Sequence, residues 1–120
     1  MSSVSSRTRT DAARDFAKLA SMLDEIRVRL EGLRRALAAE IRNYPTPIPR
    51  CDAQFNHLYE QQAGLARDLD RIGALAGKNP KRGETIEFIG QFVASAPYTD
   101  DPAERQLRTR LEAELSAVGK

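Results

Sequence analysis

His57 and Cys51 are the single histidine and single cysteine of the chain, and together they are the first place to look for chemistry. A thiolate nucleophile needs an imidazole in contact with it and usually a third group to orient that base. Asp52 lies just after Cys51 and is a natural helix N-cap, which leaves Cys51 outside the helix that carries His57. The spacing therefore does not bring the two side chains together. A structural zinc site asks for about four Cys, His or carboxylate ligands, so one Cys and one His make a poor start. His57 with Glu60 reverses the Glu-x-x-His order of di-iron bundles, and no second such motif exists. Asp68 and Asp70 point about 200° apart around a helix, and Asp100 and Asp101 are better explained by capping. No glycine-rich phosphate loop is present. The expectation is a chain with no catalytic residue, no metal ligand and no cofactor.

Two local clusters keep a binding role open. The first surrounds a proline-rich stretch, where Asn43, Tyr44, Arg50, Cys51, Asp52, Asn56, His57 and Tyr59 gather polar, aromatic and reactive groups. Tyr44, Arg50, Cys51, His57 and Tyr59 are the candidate partner-binding residues; a tight turn held by its own hydrogen bonds explains the same residues equally well. The second is the basic loop with Lys78, Lys81 and Arg82. These three are the candidate anion-binding residues, because a helix N-terminus beside them favours negative charge. An ordinary soluble turn is the plainer account of that loop.

The elements that must position these clusters are helical. Phe16, Leu23, Leu30, Leu37 and Tyr44 recur every seven residues, with Ala12, Leu19, Ile26 and Leu33 at the offset positions. Such a 3-4 seam lets a helix pack lengthwise against another. The first helix is expected over about 11–43, interrupted only by Gly32, at a cost of about 1 kcal/mol. Glu25 with Arg29 and Glu31 with Arg35 form acid-before-base pairs at i,i+4, each worth a few tenths of a kcal/mol. At about 1.5 Å per residue this helix is close to 50 Å long, so it needs a partner along its length. Residues 1–10 are polar with little to bury and are expected to form a disordered tail.

Pro45, Pro47 and Pro49 then force an extended, stiff connector. A second helix over about 52–75 repeats the seam with Phe55, Leu58, Leu65, Leu69 and Ile72. Folding back about Ile48 sets Leu37 near Leu58 and Leu30 near Leu65. Gln62, alone on this seam, would fix register at some loss of stability. A third helix over about 84–95 carries Ile86, Phe88, Ile89, Phe92 and Val93, and Pro97 ends it. Asp101, Pro102, Ala103 and Glu104 form a strong helix start, with Glu104 placed for a capping box. The fourth helix, about 102–118, is expected to bury Leu107, Leu111, Leu115 and Val118. The fold expected is all-α: a long antiparallel helical hairpin, coiled-coil-like, with two shorter C-terminal helices in a bundle-like single domain over 11–120.

Bulk composition narrows the function. The 120 residues carry a net charge of +2, 30% charged side chains, 6% aromatics and no Trp. That charge is too small for a whole-protein nucleic-acid or membrane signal. No apolar run approaches the roughly 20 residues of a membrane span. The polar first residues lack the apolar run of a secretory signal, so a cytoplasmic protein is expected. With few bulky side chains, one copy buries only a marginal core, and a homodimer is expected. The leading reading is a non-catalytic interaction or scaffold protein that self-associates and binds a protein partner. The alternative is a nucleic-acid-associated accessory protein using Arg27, Arg34, Arg35, Arg42 and the basic loop. Against it, those arginines are interleaved with Glu25, Glu31 and Glu40.

Overall fold

A computed structural model describes residues 2–46, 52–77 and 81–118, with side chains from residue 14 onward. Among them are four helices, α1 (Ser2–Arg42), α2 (Ala53–Leu75), α3 (Arg82–Ala94) and α4 (Pro102–Val118), and no strand. The fold is all-α, as the periodicity requires. Helical backbone begins at Ser2, ahead of the Asp11 start expected, so the polar segment read as a tail is continuous with α1. Neither Pro nor Gly occurs in residues 2–10, and extending an existing helix adds one hydrogen bond per residue without a new nucleus. The sequence reading treats 11–120 as one domain; the chain groups into two compact units, Glu25–Ala74 and Met1–Asp24 with Leu75–Lys120.

The unit Glu25–Ala74 is a helical hairpin built from the second part of α1 and from α2. Ile26, Leu30 and Leu37 of α1 and Leu58, Leu65 and Ile72 of α2 are buried. These are the seam positions, and full burial of each is worth about 1.5–3 kcal/mol relative to exposure. Leu33, Leu69 and Gln62 are half-buried at the edges of the stripe. The Glu31 carboxylate accepts from Arg27 at 3.1 Å, one turn before it, whereas the sequence suggests Arg35, one turn after.

The other unit holds the first part of α1 with α3 and α4. Its core is Leu19, Met22 and Leu23 of α1, Leu75 at the end of α2, Phe88, Ile89 and Phe92 of α3, and Leu111 and Val118 of α4. Phe16, the first member of the expected seam, is 43% exposed. A seven-residue row drifts about 20° per heptad around a 3.6-residue helix, so Phe16 has turned to the flank and Met22 takes the opposite flank of the stripe. Leu107 and Leu115 are only half-buried. In their place Glu104 and Arg108, at 1% and 7% exposure, extend the row that continues through Leu111.

Glu104 does not complete the capping box expected of it. Asp101 caps α4 by accepting from the Ala103 N–H at 3.0 Å. Glu104 turns inward instead and accepts from the Tyr98 N–H at 2.7 Å, the Thr99 N–H at 3.2 Å and the Thr99 hydroxyl at 3.0 Å. Arg108 donates to Glu104 Oε2 through Nε and Nη2. It also donates to the carbonyls of Phe92, Ser95 and Ala96, and its guanidinium lies 4.2 Å over the Phe92 ring. The cation thus meets the carbonyl end of α3 and the carboxylate meets the amide end of α4, each at the helix terminus whose dipole favours it.

Candidate functional site

The proline-flanked tip belongs to the hairpin unit, and local chemistry sets its two ends. Asp52 is the N-cap anticipated for α2: its Oδ1 accepts the Phe55 N–H at 2.9 Å. Its Oδ2 accepts the Tyr44 hydroxyl at 2.7 Å, which ties the second residue after α1 to the residue before α2. The Phe55 N–H and then the Tyr44 hydroxyl hold the Asp52 carboxyl below the ordinary carboxylate range. Tyr44 is shifted the other way: its bond to Asp52, then partial burial, then the Asp52 charge raise its hydroxyl above the usual tyrosine value. The Tyr44 and Phe55 rings meet at 4.9 Å between centroids and 59° between planes, and Phe55 meets Tyr59 at 4.9 Å and 75°. Such tilted and edge-to-face pairs are favoured by the ring quadrupoles. Tyr59 ends the ladder 50% exposed, and His57 is exposed on the same helix.

A groove of about 670 Å³ runs beside this latch, lined by Ala36, Ala39, Glu40 and Asn43 of the α1 end and by Tyr44, Pro45, Asp52 and Gln54. Sequence reasoning named Tyr44 and Tyr59 but missed the groove and the central role of Phe55. The i,i+4 spacing of Phe55 and Tyr59 was the available signal. Nothing in the spacing announces Glu40, because its place depends on how the chain turns after α1. Of the other tip candidates, Arg50 and Cys51 lie outside the described residues.

The basic loop is arranged differently. Lys78 lies outside the described residues. Lys81 is the backbone N-cap of α3, in extended conformation and without a side-chain cap bond; its ammonium is 3.9 Å from Glu84. Arg82 bonds to Asp15 at 3.2 Å and to the Val118 carbonyl at 3.0 Å. It thereby ties the start of α3 to α1 and to the end of α4. The helix begins at Arg82, two residues before the expected Glu84, with Thr85 bonding the Lys81 carbonyl through both N–H and hydroxyl.

Among the described residues, no three His, Cys, Asp or Glu side chains converge in a way that would hold a metal ion. Among them, too, no helix is long and apolar enough to cross a membrane. Comparison with known protein families, curated proteins and solved structures finds no match for the chain.

Proposed function

We propose that this chain is a non-catalytic helical interaction protein of the cytoplasm, which self-associates as a homodimer and holds a protein partner at the tip of its hairpin. The observation that carries the reading is the aromatic ladder Tyr44–Phe55–Tyr59, held by Asp52, with Tyr44 lining an open groove at one end and Tyr59 half-exposed at the other. Rigid, partly exposed Tyr is the side chain that protein interfaces favour, offering large contact area for little lost rotamer freedom. Phe16 and Val28, exposed apolar side chains of α1 at 43% and 56%, support self-association through that helix. For the nucleic-acid alternative, the engagement of Arg82 with Asp15 and Val118 leaves less free positive charge at the basic loop.

Light scattering across a dilution series tests the self-association. A dimer mass that falls towards the monomer on dilution supports it, and a monomer at every concentration overturns it. The tip is tested with immobilised chain at moderate salt. A protein retained by the native chain and lost by Tyr59→Ala supports partner binding there; equal retention by both places the contact elsewhere.

A further inference from the structure

We infer that the groove beside Tyr44 receives the arginine side chain of a protein partner, its stem on Ala36, Ala39 and Pro45 and its guanidinium between Glu40 and Asp52. The inference rests on the interaction-protein reading and names the chemistry that the partner brings. Four features of the groove converge on it. Among the described residues, Glu40 and Asp52 are its charged lining side chains, both carboxylates. The groove follows the carbonyl end of the 41-residue α1, where the helix dipole adds negative potential within the last turn. Arg42 sits in that turn but does not line the groove. Ala36, Ala39 and Pro45 supply a small-residue apolar floor along which a methylene stem can lie. Tyr44 lines the same space, and a planar guanidinium is attracted to an aromatic ring.

Asp52 has room for this ligand. It accepts the Phe55 N–H and the Tyr44 hydroxyl and also the Gln54 N–H, and because an ionised carboxylate offers about four acceptor sites, one is left for a further donor. Glu40 is exposed and can swing to the same donor. An arginine presents its N–H groups in a fork suited to carboxylates, which favours it over lysine here.

The test is an NMR titration of the ¹⁵N-labelled full chain at low ionic strength with acetyl-Gly-Arg-Gly-amide, and in parallel with its uncharged citrulline counterpart. The arginine peptide is expected to shift the amides of Ala39, Glu40, Asn43 and Gln54, and the citrulline peptide to leave them unmoved. Glu40→Gln, at an exposed position, should weaken the arginine response about fivefold, the loss that goes with one charge-assisted bond at a wet site. Equal response to the citrulline peptide, shifts confined to other amides, or an unaffected Glu40→Gln each overturn the inference. So does binding that emerges only in Arg50→Ala, since the chain's own connector would then hold the groove. Light scattering reads self-association without any peptide. A dimer blind to arginine therefore keeps the self-association and discards the groove, whereas a monomer that binds arginine keeps the groove and discards the homodimer.

Discussion

Asp52 is a single carboxylate with two structural duties, capping α2 and anchoring Tyr44, and its proton binding follows from them. Its folded-state pKa is depressed, so the stability it contributes is present above the unfolded carboxylate value of about 3.9. That stability is lost as pH falls through the lower folded value. Tyr44 is raised, so its contribution is fully present below the unfolded tyrosine value of about 10 and is lost as pH climbs through the higher folded one. The melting temperature of the native chain should therefore drop more steeply below about pH 4 than that of Asp52→Asn, which keeps a good cap but no titrating group. Matching acid profiles for the two proteins would show that the latch does not stabilise the fold. Arg108 makes a sharper case. Its removal takes the cation from the Glu104 carboxylate, 1% exposed, and takes the guanidinium donors from the carbonyls of Phe92, Ser95 and Ala96. Arg108→Ala should cost about 3–5 kcal/mol, read by urea denaturation; a loss below 1 kcal/mol would mean that the pair is dispensable.

The helices show what spacing reveals and what it hides. Leu30, Leu37, Leu58, Leu65 and Ile72 are buried where the seven-residue interval places them, because burial on one stripe is what creates that interval. Asp52 and Asp101 cap where their types and positions indicate. Phe16 escapes the rule, since a heptad row and a straight helix part company over two or three turns of the pattern. Glu104 and Arg108 escape it because charged side chains are presumed exposed unless paired; the clue was their 4-then-3 spacing onto Leu111. The Tyr44–Asp52 bond joins residues eight apart across a turn, which no periodicity encodes. Gly32 and Gly73 face open space, with no atom near where a Cβ would sit. Gly32→Ala should accordingly stabilise α1 by about 1 kcal/mol, a gain measurable by thermal melts, and any loss would show that the backbone there needs glycine. Gln62 is half-buried on the seam of α2. Gln62→Leu should raise the melting temperature and loosen register; a clear drop would sink its role as a register device.

For the molecule as a whole, the two compact units draw on a composition of 6% aromatics and no Trp, which gives leucine and isoleucine most of the core. A chain that buries so little bulk gains from association, and mass action then links stability to concentration. If the proposed homodimer forms, the melting temperature will rise with protein concentration; a midpoint independent of concentration argues for a self-sufficient monomer. The near balance of 19 basic and 17 acidic residues leaves little long-range field for steering a partner, so recognition of the proposed partner would rest on local features.

The corner between α3 and α4 has a kinetic counterpart to its stability. Every bond that Arg108 makes there reaches a residue no more than 16 positions away, and loops that short close at small entropic cost. Contacts of this range form early in the search for the native state. The corner is therefore expected to be assembled at the folding barrier. In Arg108→Ala, most of the lost stability should surface as a slower refolding limb of the stopped-flow chevron, with the unfolding limb nearly unchanged. The opposite partition would mean that the corner closes only after the chain has crossed the barrier.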